Sequence, residues 1–135
     1  MKDITTFLMF SGKHHGRAKE AIDLYVSLFP ESSIQNVDFY GSGENQPEGT
    51  VRIAEFSLKG KRFMAIDSTG PHAFNFTPSI SLFVECDTEK EINYLYNVLS
   101  SEGEVLMPLD NYGFSPRFGW VNDRFGVSWQ LNQIA

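Results

Sequence analysis

The chain has 135 residues, which is long enough for one domain with its own hydrophobic core. Hydrophobic residues make up 41% of it and charged residues 21%, a composition typical of a globular protein. The net charge of −6 argues against nucleic acid as a partner, and no apolar run is long enough to span a membrane. The single cysteine and the lack of a signal-peptide pattern predict a cytoplasmic protein without an internal disulfide.

The first half of the chain is predicted to form a strand, a helix and three further strands. A strand over residues 5–10 precedes a helix over about 15–29, in which apolar side chains recur at intervals of three and four. Pro30 then prevents the helix from continuing. The further strands are expected near residues 34–40, 51–58 and 63–67.

The second half is predicted to repeat this order. A strand over residues 79–85 precedes a helix over 89–102, for which Thr88 is the expected N-cap and Glu91 completes a capping box. Gly103 is expected to end this helix. The remaining strands are expected near residues 105–106, 119–121 and 127–131.

The two halves resemble each other at an interval of about 65 residues. Segment 58–66 can be laid over segment 123–131, because each runs from a glycine turn into a strand. The order βαβββ-βαβββ predicts an α+β fold of two modules that form a cup-shaped, mostly antiparallel sheet with the helices on its outer face. A single domain is expected, with module one at about 1–69, a linker at 70–75 and module two at about 76–135.

Alternation along the strands predicts which side chains face a ligand. One set, which includes Ile80, Leu82 and Val84, is expected to pack against the helices. The opposite set forms an inner surface of hydroxyls, amides, Phe and Met, which is typical of a cup that binds a small molecule. The predicted ligand-binding residues are Phe7, Met9, Phe63, Ser79, Ser81, Phe83, Ser128 and Gln130.

Six segments resemble a known family and together cover nearly the whole chain. Three of them are the strand hairpin at 56–66, the segment 70–76 that includes the linker, and the terminal segment 123–130. The others lie at 7–10, 21–30 and 49–51. The chain resembles the vicinal oxygen chelate superfamily, which includes glyoxalase, bleomycin-resistance and extradiol-dioxygenase proteins. More closely, it is similar to the PhnB-like branch, often labelled demethylubiquinone methyltransferase-like.

The resemblance implies a site that holds a metal through four equivalent strand positions, typically His, Glu or Gln. Aligned by the strands above, those positions are Thr5, Ala65, Ser79 and Gln130 in this chain. Alanine offers no donor atom, and serine and threonine hydroxyls are poor ligands for first-row metals. A protein without a bound metal or other cofactor is therefore expected.

Two residues are weak candidates for catalysis. His72 lies in the linker, where it either lines the mouth of the cup or only caps the crossover. Asp67 ends a strand on the predicted inner surface, where it is either a general base or a solvated side chain. The segment Gly41-Ser42-Gly43 lacks the following helix that a nucleotide or S-adenosylmethionine site usually has, so methyltransferase activity is judged unlikely.

Three functions remain open from the sequence. The favoured hypothesis is a metal-independent protein that binds a small amphipathic or aromatic molecule. The first alternative is an enzyme, a lyase, isomerase or transferase, that acts on a small substrate through nonstandard residues. The second is a structural or interaction protein whose cup is vestigial. A homodimer is expected in each case, because duplicated modules expose sheet edges that need covering.

Overall fold

The computed structural model describes residues 1–134 and divides the chain into two compact units, one up to Asn75 and one from Phe76, called module one and module two below. Module one consists of β1 (Thr6–Phe10), α1 (Ala18–Leu28), β2 (Ser33–Phe39), β3 (Val51–Leu58) and β4 (Lys61–Asp67). Module two consists of β5 (Leu82–Cys86), α2 (Glu89–Ser100), β6 (Glu104–Asp110), β7 (Phe118–Asn122) and β8 (Ser128–Gln133). The predicted α+β class with two βαβββ modules is confirmed.

Each module contains one four-stranded sheet, and the strand order is the same in both. It is β1-β4-β3-β2 in module one and β5-β8-β7-β6 in module two. The first and last strands of each module pair in parallel, and the other two pairs are antiparallel. The two halves of the chain therefore place equivalent strands at equivalent positions. Neither α1 nor α2, the helices found within residues 1–134, has the length and apolar character that crossing a bilayer requires.

The first helix begins later than predicted because its start is fixed by another element. Residues 12–14 form a short 3-10 turn, and α1 begins at Ala18. The carboxylate of Asp67 accepts hydrogen bonds from the backbone N–H groups of Gly16 and Ala18, at 2.8 and 3.2 Å. Backbone donors at a helix start lack helical partners, so this β4 side chain supplies the cap. The apolar stripe is buried, as predicted, through Ala18, Ala21, Ile22 and Tyr25.

The second helix begins as predicted and ends differently. Thr88 Oγ1 accepts a hydrogen bond from the backbone N–H of Glu91 at 3.1 Å, which confirms the N-cap. At the other end, Glu102 rather than Gly103 adopts a left-handed φ, of 60°. Gly103 is required for another reason, because a Cβ there would collide with the backbone of Asn122.

Each helix covers one face of its own sheet, and we call the opposite face the open face. In module one Phe10 is fully buried beneath α1, whereas Phe7 is 52% exposed on the open face. In module two Trp129 and Leu131 are buried, whereas Phe83 is 56% exposed. Burial of a large apolar side chain contributes about 1.5–3 kcal/mol, so the helix-covered faces hold each module together.

Strand β5 is shorter than predicted, which changes the position of two side chains. Residues 78–80 form a turn, in which the hydroxyls of Thr77 and Ser79 are hydrogen-bonded at 2.7 Å. Ser79 therefore lies before the strand, not on it, and the prediction that it lines the sheet surface is wrong. Ile80 is 79% exposed, so the prediction that it packs against the helix is also wrong.

Candidate functional site

A row of side chains crosses the open face of module two. Gln130 on β8 is in register with Phe83 on β5 and with Trp120 on β7, so these three side chains lie side by side. Ser81 directly precedes β5, and Ser128 begins β8. Two aromatic rings therefore flank one amide, with two hydroxyls beside it.

Four of these five side chains are joined by hydrogen bonds. Trp120 Nε1 donates to Ser128 Oγ at 2.9 Å, and the hydroxyls of Ser128 and Ser81 are 2.7 Å apart. Gln130 Nε2 donates to Ser81 Oγ at 3.2 Å. Ser128 is 2% exposed, while the other three residues are half-buried. We call Ser81, Trp120, Ser128 and Gln130 the hydroxyl network.

Most of this group was predicted to bind a ligand, and the structure brings those residues together on one face. They are Ser81, Phe83, Ser128 and Gln130. Their role in binding stays a prediction. Trp120 was not predicted, although the signal was present: Trp120 and Asn122 alternate with the buried Gly119 and Val121 along β7.

The open face of module one carries Phe7 and Met9, as predicted from β1. They are in register with Met64 and Ile66 on β4, which lie on the same face. This surface is therefore largely apolar, and whether it contacts a ligand stays a prediction.

One charged side chain organises the polar part of the same face. Arg62 Nη2 donates to Glu55 Oε1 at 2.9 Å, and Arg62 Nη1 donates to Thr5 Oγ1 at 3.0 Å. The hydrogen bond from Arg62 lowers the pKa of the Glu55 carboxyl below its ordinary value, and the same contact raises the pKa of Arg62. Both groups are solvent-exposed, so the pair orients side chains rather than adding much stability.

Phe63 and Asp67 lie on the helix-covered face, which contradicts the prediction that they face the ligand. In the parallel pair of β1 and β4, Leu8 is in register with Ala65 and Phe10 with Asp67. Leu8 and Phe10 are buried, and so are Phe63, at 9% exposure, and Asp67, at 4%. The predicted metal position at Ala65 is wrong for the same reason.

The error has a simple origin in the comparison of the two halves. The turn glycines that precede β4 and β8 are Gly60 and Gly126, one residue further apart than the assumed interval. Met64, in register with Phe7, is thus the counterpart of Gln130, in register with Phe83. Since side chains alternate along a strand, a shift of one residue moves every side chain of β4 to the other face.

The carboxylate of the buried Asp67 is hydrogen-bonded to backbone N–H groups. Besides Gly16 and Ala18, the backbone N–H of Val51 donates to its carboxylate, at 2.9 Å. The three hydrogen bonds join α1 and β3 to the end of β4. The expectation that Asp67 lies at a solvated rim is therefore wrong.

His72 lies beside a cavity of about 410 Å³ that is open on one side. The cavity is lined by Gly12 and residues 70–75, all of module one. His72 Nε2 is 3.0 Å from Ser68 Oγ, and its ring centroid is 5.1 Å from that of Phe74. The structure thus places this catalytic candidate from the sequence next to a cavity.

The donor atoms do not fit the metal that the superfamily resemblance implies. With the register corrected, the equivalent positions on the open faces are Thr5, Met64, Ser81 and Gln130. A hydroxyl, a thioether and an amide are each weak donors for a first-row divalent metal. Within residues 1–134, no group of three or more His, Cys, Asp or Glu side chains lies close enough to hold a metal ion.

Comparison with known proteins places this arrangement in a family. A family model described as 3-demethylubiquinone-9 3-methyltransferase matches residues 2–132. The chain belongs to this family. This match, together with the solved PhnB protein described below, confirms the predicted PhnB-like branch.

Three relatives illustrate how far the likeness extends. The solved PhnB protein from Bacillus cereus is 48% identical, covers 98% of this chain and 100% of its own, and has a TM-score of 0.93. Protein YjdN of Escherichia coli (strain K12) is 22% identical over 97% of this chain and 95% of its own. The fosfomycin resistance protein FosX of Listeria monocytogenes, solved with Mn(II), shares the fold alone. It is 9% identical, with a TM-score of 0.62, over 98% of this chain and 92% of its own.

Proposed function

We propose that this protein binds an uncharged, partly aromatic small molecule without using a metal. The observation that carries the proposal is the hydroxyl network, which lies half-buried on the open face of module two beside the exposed ring of Phe83. Ligand sites typically combine apolar and aromatic walls with a few oriented polar groups, and this face has that composition.

The donor set supports the metal-free part of the proposal. By the resemblance, the superfamily draws its ligands from the positions that Thr5, Met64, Ser81 and Gln130 occupy here, and none of these four side chains is a strong ligand for a first-row metal. Elemental analysis of protein purified without an affinity tag tests this point. About one equivalent of zinc, nickel, manganese or iron, lost on Gln130→Ala, would overturn it.

A thermal-shift screen against a small-molecule library tests the binding itself. Ser81→Trp places a large side chain on the proposed surface, so compounds that stabilise the wild type should not stabilise this variant. Asn97→Trp is the matched control, because Asn97 is exposed on α2, away from the open face. The proposal fails if no compound stabilises the wild type, or if Ser81→Trp retains every response.

A second candidate function rests on His72. Its contact with Ser68 and its position beside the cavity of module one suit a general base acting on a small substrate, as a lyase, isomerase or transferase would require. Turnover of a screening hit that is lost in His72→Gln, with binding retained, would favour this enzyme over the binding protein.

Methyl transfer, although named in the description of the matching family, is not part of either proposal. The glycine-rich segment 41–43 connects β2 to β3, which are antiparallel. It therefore lacks the strand-to-helix geometry that presents backbone N–H groups to a phosphate-bearing cofactor.

We also propose that the two modules act as one domain, in a cytoplasmic homodimer. Exposed apolar side chains on the edge strands β2 and β6, Phe39 and Val105, support a second chain as a partner that covers a sheet edge. Light scattering should give twice the 15.3 kDa mass of the chain. A mass of one chain across micromolar concentrations would contradict the dimer. A dimer without any ligand in the screen would instead favour a structural protein with a vestigial cup.

A further inference from the structure

The hydroxyl network restricts which ligand atom it can accept. A serine hydroxyl has one proton to donate and two lone pairs that accept. Ser128 is 2% exposed and accepts from Trp120 Nε1, so its own proton needs an acceptor inside the network. Within residues 1–134, that acceptor is Ser81 Oγ, at 2.7 Å. Ser128 therefore donates to Ser81, because the reverse direction would leave a buried donor unpaired.

Ser81 then has both lone pairs occupied. It accepts from Ser128 and also from Gln130 Nε2, at 3.2 Å. Only the proton of its own hydroxyl is left to form a hydrogen bond. Ser81 is half-buried at the edge of the open face. With the Gln130 amide oriented so that Nε2 faces Ser81, a ligand atom that contacts Ser81 accepts a hydrogen bond rather than donating one.

The charges around the network favour an acceptor without a negative charge. All four side chains of the network are uncharged. Glu85 follows Phe83 on the same face of β5, and Glu104 is hydrogen-bonded to Asn122, which is in register with Ser128. An anion would lose hydration here, and the network offers no cation in return.

The aromatic side chains define the shape of the ligand. Trp120 and Phe83 lie on either side of Gln130 in the cross-strand row, so a flat group fits between or against their rings. We infer that the hydroxyl network binds an uncharged carbonyl compound with a flat aromatic or conjugated part, and that the Ser81 hydroxyl donates to the carbonyl oxygen. This inference rests on the proposed function and narrows its ligand to a chemical class.

The two tryptophans of the chain provide a reporter and an internal control. Trp120 Nε1 belongs to the network, whereas Trp129 Nε1 donates to Asp123 in the buried core at 2.8 Å. Their indole N–H signals are separable by ¹H–¹⁵N NMR, and Trp120→Phe identifies each one. The probes are acetophenone, ethylbenzene, benzoate and 1-phenylethylamine, which share a phenyl ring and differ in the polar group.

Acetophenone should shift the Trp120 signal and leave the Trp129 signal in place. It should bind about two- to tenfold more tightly than ethylbenzene, the gain expected from one hydrogen bond. Benzoate and the protonated amine should bind more weakly than acetophenone. Ser81→Ala should abolish the preference for acetophenone over ethylbenzene, Ser81→Thr should keep it, and Ser57→Ala on the open face of module one should leave it unchanged.

Two results would overturn the inference and leave small-molecule binding intact. One is binding of benzoate or the amine at least as tight as that of acetophenone. The other is a preference that survives in a folded Ser81→Ala, judged by an unchanged Trp129 signal. A Trp120 signal that none of the four compounds moves also overturns it. If the library screen of the wild type fails as well, the proposed function falls with it.

Discussion

The open faces of the two modules share a strand order but differ in their chemistry. In module one, Arg62 lies between Glu55 and Thr5, and these polar groups satisfy one another. In module two, Ser81 and Gln130 belong to an uncharged hydrogen-bonded network, from which we infer that the Ser81 proton is available to an outside acceptor. The shared strand order determines where equivalent side chains lie. The chemistry of those side chains determines whether a face can form a hydrogen bond with a ligand.

This difference assigns separate tasks to the modules. Thr5 and Ser81 occupy equivalent positions, and each carries a hydroxyl. The hydroxyl of Thr5 accepts from a charged guanidinium, whereas that of Ser81 lies in a neutral network beside aromatic rings. Ligand selectivity is therefore expected from module two.

The largest expected effect distinguishes the two faces of β5. Cys86 lies on the helix-covered face, and burial, with smaller contributions from Glu91 and Asp87, raises the pKa of its thiol to about 12. Alkylation requires the thiolate, so iodoacetamide at pH 8 should modify Cys86 roughly a thousandfold more slowly than an ordinary thiol. Phe83→Cys in a Cys86→Ala background should react at the ordinary rate. Similar rates for the two cysteines would contradict the assignment of faces.

Next in size is the loss of the Asp67 carboxylate. Asp67→Ala leaves three backbone N–H groups without their acceptor, and this should lower the free energy of unfolding by about 3–5 kcal/mol in urea titrations. Glu55→Ala, on the open face of the same module, should leave it nearly unchanged because Glu55 is solvated. A stable Asp67→Ala that fails to bind ligand would return Asp67 to the site.

A smaller effect tests the corrected register of β4. Ala65 is fully buried against the helix side, so Ala65→Leu overpacks the core and should cost about 1–3 kcal/mol. Met64 lies on the open face, and Met64→Leu conserves volume and should cost less than about 1.5 kcal/mol. Chemical denaturation of both variants provides the comparison. The original alignment would be restored if Met64→Leu proved to be the more damaging change.

The helices were predictable because a helical stripe tolerates small errors. Apolar side chains recur at intervals of three and four in each helix, as around Ile22 in α1 and Leu95 in α2. A boundary error of a few residues leaves this stripe in place. A strand has only two faces, so an alignment error of one residue assigns every side chain to the opposite face. This error affected Phe63 and Ala65.

The candidate site was predictable only in part, because it depends on contacts between strands. The alternation of β8 placed Ser128 and Gln130 on a polar face correctly. Trp120 donates to Ser128, and Ser81 contacts Ser128 and Gln130, only because β5 and β7 pair with β8, and no local pattern contains that pairing. The start of α1 was not predictable from a local pattern either, because the side chain that accepts from its backbone, Asp67, is distant in the sequence.

The smallest expected effect is also the most direct test of the contrast, because the Arg62–Glu55 pair contains a titrating carboxyl and the hydroxyl network contains none. The hydrogen bond from Arg62 lowers the pKa of Glu55. The pair therefore contributes its full stabilisation above the ordinary carboxyl pKa of 4.5, and this stabilisation is lost as the pH falls through the lowered pKa. The stability difference between wild type and Glu55→Gln should therefore shrink as the pH falls below about 4.5. Ser81→Ala removes an uncharged group, and its effect should stay constant over the same range. A carboxyl signal of Glu55 that titrates above 4.5 in ¹³C NMR would show that the hydrogen bond from Arg62 does not hold Glu55 in its charged form.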